Sequence, residues 1–243
     1  MSIVEPLSLR HGALSLRGSR YPAGARRVLL CHGFKSNRMG PGRFYVELAR
    51  ALQEAGLTVE SWDRAGQGES DGALSDLTLE DELQQLERMV DACGGKGVHL
   101  VGHSLGAMEA AVLAGRVPGK VAGLTLLAPA AVVHDEVCGG TVLGRPVSEI
   151  ERSGYVDLGG QIIDQTFIDS ARAFDPYAGL DAFDGPVTLH HCRDDAVVPY
   201  RYSERYAEIW PQARLHLHDS GGHGFEEAPL RAGIISDIVT RLG

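Results

Sequence analysis

The chain has 243 residues, 44% of them hydrophobic, enough to bury one sizeable core. A formal charge of −9 with scattered lysines and arginines leaves no basic stripe, which argues against nucleic acid or an anionic membrane as partner. No apolar run approaches the roughly 20 residues of a membrane span, and the start MSIVEPLSLRHGALSLRGSR lacks the basic head and unbroken apolar stretch of a signal peptide, which predicts a cytoplasmic protein. Cys31, Cys93, Cys138 and Cys192 show no CxxC spacing. Cys31 and Cys192 end apolar runs and read as small buried thiols.

In chain order, Ile3 to Leu9 and Ala13 to Arg17 alternate apolar with polar around His11-Gly12, an antiparallel hairpin at a sheet edge. Arg27 to Cys31 is the first run apolar enough to be covered on both faces, as in a parallel sheet. It ends at His32-Gly33-Phe34 and a polar loop. Apolar residues at helical spacing then run from Phe44 to Ala55, closed by Gly56. Leu57 to Trp62 is the next strand and Asp63 to Ser70 a long loop. Thr78 to Ala92 reads as an amphipathic helix capped by Thr78, with Glu80, Asp81 and Glu82 placed to suit the helix dipole.

Lys96 to Ala114, KGVHLVGHSLGAMEAAVLA, organises the rest. A short branched apolar run breaks at Gly102-His103-Ser104-Leu105-Gly106 and resumes in strong helix formers. This is the G-x-S-x-G nucleophile elbow, a strained strand-to-helix turn that lifts a serine hydroxyl to a helix N-terminus. Roughly one chain in four of this composition carries the pattern by chance, so context decides. Gly68-Glu69-Ser70-Asp71-Gly72 also fits, but no apolar run enters it, no helix follows, and two carboxylates flank Ser70, which reads as a loop residue.

Gly123 to Leu127, Val187 to Cys192 and Arg214 to His218 complete the strands, with helices around Arg201 to Trp210 and Leu230 to Leu242. Strands alternating with helices predict a mostly parallel, doubly wound α/β sheet in one domain spanning 1–243. The stretch 131–185, glycine-bearing and weakly periodic, breaks the alternation. A connection of that length reads as a cap inserted over the elbow.

A serine hydroxyl needs a base and a group to orient that base. Catalytic groups in such sheets gather at the C-terminal ends of strands, which leaves two loops: CRDDAVVP from Cys192 and GGHGF from Gly221. Ser104, then Asp195, then His223 is the chain order an elbow enzyme of this kind requires. Asp195, three residues before Val198-Pro199, is the favoured acid, leaving Asp194 a turn acid. His223, between glycines, is free to reach the serine. His99 and His103 are too constrained, and His190, His191, His216 and His218 sit on strands as structural residues. A metal reading of His190, His191 and Cys192 lacks a second ligand cluster at zinc spacing, so no metal is expected. The N–H groups of Leu105 and Phe34 are the expected oxyanion donors.

These motifs, HGF at 32–34, DRAGQGES at 63–70, GHSLG at 102–106, DDAVVP at 194–199 and GGHGF at 221–225, resemble the α/β-hydrolase family over nearly the whole chain. Within it the helix RFYVELARALQEAG, then LAPAA, then an insertion with GYVDLGG, are most similar to bacterial cinnamoyl (feruloyl) esterases. The resemblance implies a cofactor-free serine esterase that acts on a small ester, with Ser104 as nucleophile, His223 as base and Asp195 as its partner. It also implies that the insertion shapes the substrate pocket and that Asp135 or Glu136 meets a phenolic hydroxyl. A monoacylglycerol lipase, a thioesterase, an aminopeptidase and a ligand-binding protein on the same fold are the alternatives. No motif distinguishes a monomer from a homodimer.

Overall fold

The computed structural model describes residues 3–243. The predicted hairpin forms as β1 (Glu5–His11) and β2 (Leu14–Tyr21), longer than its alternation suggested, with Gly12 at φ 56° in the turn. The apolar runs become β3 (Arg27–Cys31), β4 (Thr58–Trp62), β5 (Val98–His103), β6 (Val121–Leu127), β7 (Val187–Cys192) and β8 (Arg214–His218). All eight lie in one sheet, in the order β1-β2-β4-β3-β5-β6-β7-β8. The six strands from β3 onward are mutually parallel, and β2 meets β4 antiparallel. The fold is the predicted α/β-hydrolase fold.

Helices cover both faces. α1 (Phe44–Glu54) and α8 (Ala228–Leu242) pack on one side with Val28, Leu30, Val59 and Val101 beneath them. α2 (Leu79–Ala92), α3 (Leu105–Arg116) and α7 (Arg201–Ile209) pack on the other, over Leu29, Leu100, Leu126 and Leu189. Alternate residues of each central strand thus feed opposite cores, which is why these strands read as unbroken apolar runs. The Thr78 hydroxyl accepts from the Asp81 N–H at 3.1 Å and starts α2 as predicted. All four cysteines are free, with Cys138 exposed and the others buried. Among the described residues no helix is long and apolar enough to cross a membrane.

Between β6 and β7 the chain makes α4 (Val132–Cys138), α5 (Glu149–Ser153) and α6 (Gln165–Ala173), with two-residue ladders pairing Thr141–Val142 with Arg145–Pro146 and Val156–Asp157 with Ile162–Ile163. The weak periodicity hid these helices because each is too short to show a repeat. Helices of this size draw their stability from packing rather than propensity. Val137, Phe167 and Ile168 of this segment join the same core as α2 and α3.

Candidate active site

Ser104 occupies the turn between β5 and α3 at φ 56°, ψ −123°, a backbone conformation that side chains rarely adopt. Close packing on both sides enforces it. A Cβ on Gly102 would lie 2.5 Å from the Ala107 Cα, and one on Gly106 2.3 Å from the His32 carbonyl oxygen. Only glycine lets the elbow close against β3 and its own helix. The Ser104 N–H donates to the Leu127 carbonyl at 2.8 Å, which ties the elbow to β6. Ser70, in the rival pentapeptide, instead donates to the Asp63 carbonyl at 2.6 Å and accepts from the Arg17 N–H at 2.8 Å, pinning a loop to β2.

The structure brings together residues 119 apart along the chain. The Ser104 hydroxyl donates to His223 Nε2 at 2.9 Å, and His223 Nδ1–H donates to Asp195 Oδ2 at 2.7 Å. The other oxygen of Asp195 accepts from the N–H groups of Val197 and Val198, both at 2.8 Å. Burial by itself would raise the Asp195 carboxyl. Hydrogen bonds from His191 and His223, with the Val198 N–H, outweigh it and hold the group well below the ordinary carboxylate range. Asp194 points elsewhere and accepts from the N–H groups of Gly221 and Gly222 at 3.2 and 2.9 Å, so it shapes the loop that carries His223.

Three supports were not visible in the sequence. His191, assigned there to strand structure, lies with Nε2 3.2 Å from Asp195 Oδ2 while donating to the Val198 carbonyl at 2.8 Å. His103 Nε2–H donates to the His223 carbonyl at 2.8 Å and so fixes the backbone of that loop. The third is a buried ion cluster. Arg64 Nη2 donates to the carbonyls of His32 at 2.7 Å and Gly33 at 3.3 Å, and its guanidinium pairs with Glu109 and with Glu82, the latter at 3.0 Å. Glu82, one of the first-turn acids of α2, is therefore buried in an ion pair. Burial, with the Glu82 carboxyl beside it, pushes the Glu109 carboxyl well up against the pull of Arg64. The cluster pins the peptide units leading to Phe34. Leu105 opens α3, where the first N–H groups have no acceptor within the helix.

Two spaces meet at Ser104. One is an apolar slot lined by Phe34, Leu105, Val133, Phe167 and Val198, with Glu136 among its walls, enclosing about 430 Å³ with the open solvent at its mouth included. Phe34 and Phe167 stack in it at 5.2 Å, so the insertion supplies one wall. The other is an open cleft lined by Lys35, His103, His223 and Glu226. The structure separates the two acids that the sequence left together. Glu136 faces the slot and accepts from the Leu143 N–H at 3.1 Å, whereas Asp135 accepts from the Tyr202 hydroxyl at 2.6 Å and does not line the slot.

Four histidines, His32, His99, His103 and His190, are held neutral, chiefly by burial. Burial takes His99 down to about 4 and His103 and His190 to about 3, while His32 falls well below its ordinary value. An unfolded chain protonates them near pH 6.5, so below that pH the unfolded state binds protons that the folded state refuses. Stability must then fall with pH, by up to about 1.4 kcal/mol per pH unit for each such histidine. We expect the urea midpoint to drop continuously from pH 7 to 4.5 with a slope above one proton; a flat midpoint over that range would contradict the assignment.

Residues 26–140 match the family described as the alpha/beta hydrolase fold. With the elbow set on this sheet, the chain has the α/β-hydrolase fold. RutD of Variovorax paradoxus (strain S110), named as a carbamate hydrolase, is 29% identical over 234 residues, covering 83% of this chain and 86% of its own. The monoglyceride lipase of Homo sapiens is 35% identical over 122 residues, 47% of this chain and 39% of its own length. Est1E from Butyrivibrio proteoclasticus, solved with ferulic acid bound, shares the fold with a TM-score of 0.87 over 97% of this chain and 98% of its own, at 20% identity.

Proposed function

We propose that the protein is a serine hydrolase that cleaves carboxylic esters through an acyl-enzyme at Ser104. The observation that carries this reading is the continuous relay from Ser104 through His223 to Asp195 at a strained elbow. In the proposed cycle Ser104 Oγ attacks the ester carbonyl as its proton passes to His223 Nε2. The resulting oxyanion lies between the N–H groups of Phe34 and Leu105, and His223 then protonates the departing alcohol. Water repeats the sequence on the acyl-enzyme. The scheme calls on no cofactor.

The two spaces take different halves of the substrate. His223 must deliver its proton to the leaving oxygen, so the cleft it lines takes the alcohol. The apolar slot, away from that imidazole, takes the acyl group, with the insertion acting as its cap. A slot with stacked aromatics on one wall and the Glu136 carboxylate on another suits an aryl acyl group bearing a hydroxyl, such as a hydroxycinnamoyl ester. The likeness to a fold solved with ferulic acid supports that choice. The apolar lining and the resemblance to monoglyceride lipase support a fatty monoacylglycerol as the second reading.

A fluorophosphonate probe should label the folded protein once, at Ser104. Across methyl ferulate, p-nitrophenyl acetate, a monoacylglycerol, an acyl-CoA and an aminoacyl anilide, kcat/KM should be highest for the aryl acyl ester. Absence of labelling in the folded chain would instead favour a ligand-binding protein on this fold.

A further inference from the structure

On the α8 side of the sheet, two strands across from the elbow, parallel pairing sets His190 of β7 directly beside His216 of β8. Their rings stack at 4.8 Å with 12° between planes, and His218, two residues on, stacks against His190 at 5.5 Å. Asp237 and Arg241, one turn apart on α8, close the group from above. One donor atom from each of His190, His216 and Asp237 lies within 4.8 Å of the other two.

The candidate donor atoms converge. His190 is 2% exposed, and its Nε2 has no hydrogen-bond partner although Asp237 Oδ2 is 3.3 Å away. Arg241 can only donate, so His216 Nε2, 3.3 Å from its guanidinium, stands as the acceptor of that contact. Asp237 Oδ2 accepts from Arg241 Nε at 2.7 Å. The far nitrogen of His190 is paired with His218 Nε2 at 3.2 Å, the outer contact that fixes the orientation of a metal-bound imidazole. One imidazole and one carboxylate thus already hold a positive charge, that of a partly exposed guanidinium on a flexible stem, with the unpartnered His190 nitrogen 3.3 Å from the same carboxylate.

We propose that His190, His216 and Asp237 form a binding site for one divalent transition cation of the zinc type, which takes the position now held by the Arg241 guanidinium. Donors on one zinc ion stand about 2.0–2.1 Å from it, so the three must draw together by about an ångström. His216 and Asp237 are only partly buried and can rotate to do so. Water completes the coordination. The ion clips α8 to the β7–β8 edge, whose strands run on into the loops of Asp195 and His223. Zinc-ligand spacing along the sequence could not reveal the site, because its donors come from three separate elements.

The chelator-treated full chain is titrated with Zn2+ by calorimetry and with Co2+ by its visible absorption, and thermal unfolding is recorded with and without Zn2+. One equivalent should bind and raise the Tm. His216→Ala and Asp237→Asn should each weaken binding by at least about 10-fold. Arg241→Gln, which removes the competing cation, should tighten it, and Cys138→Ser should leave it unchanged. The proposal is overturned by uptake that does not saturate at one equivalent, by equal affinity in the His216 and Asp237 variants, or by binding that appears only once Arg241 is replaced. These readouts do not depend on ester turnover, so they stand or fall separately from the proposed chemistry.

Discussion

Ser104→Ala is expected to leave a folded protein whose turnover of p-nitrophenyl acetate is lower by about 10⁴-fold or more. The size follows from what the side chain does in the proposed cycle. Without Oγ no acyl-enzyme forms, and what remains is water attack assisted only by the oxyanion donors and by binding. The fold should tolerate the change. Ser104 makes one side-chain hydrogen bond, to His223, while the elbow is held by the Ser104 N–H bond to Leu127 and by the packing of Gly102 and Gly106. Alanine carries the same Cβ as serine at φ 56°, so the backbone strain is unchanged. The check pairs circular dichroism and the thermal midpoint with kinetics on the same preparation. A variant that stays folded and keeps turnover within about tenfold of the parent would remove Ser104 from the chemistry.

The second large effect separates two adjacent acids. Asp195→Asn should lower kcat by about 10⁴-fold, because the carboxylate accepts on both oxygens: Oδ1 from two backbone N–H groups and Oδ2 from His223. An amide must place its NH2 against one of those donors. Turned toward His223, it drives the imidazole into the wrong tautomer, with the proton on the nitrogen that faces Ser104. Turned toward Val197 and Val198, it breaks the loop that aims the acid. Asp194→Asn keeps one acceptor for the Gly221 and Gly222 N–H groups and should cost only about tenfold or less, through looser placement of His223. Parallel kcat and KM measurements on the two variants decide the matter. Equal losses, or a larger loss at Asp194, would reassign the acid.

Much of the architecture was readable one segment at a time. The run RVLLC and its counterparts revealed buried strands because both faces of a central parallel strand are covered. The alternation of β1 and β2 revealed an edge, and Thr78 with the acids after it revealed a helix start. The elbow was legible because strand, glycine-serine turn and helix formers are contiguous. Even the order of serine, acid and histidine could be taken from loops that follow strands.

What the sequence by itself determined, then, was the set of elements and the residues at their ends, since strand and helix patterns repeat over two to four residues and are written by neighbours. The tertiary structure alone decided which side chains meet. It turned Asp135 to Tyr202 and Glu136 to the slot although they are consecutive, because adjacent residues on a helix point about 100° apart and only the packing of α4 says which way is inward. It drew Glu82 and Glu109 from two helices onto Arg64, and His191 onto Asp195. It set His190, His216 and Asp237 together through the adjacency of β7 and β8 beneath α8. Such meetings depend on strand order and on the direction of each side chain across the layers, and no local pattern carries that information.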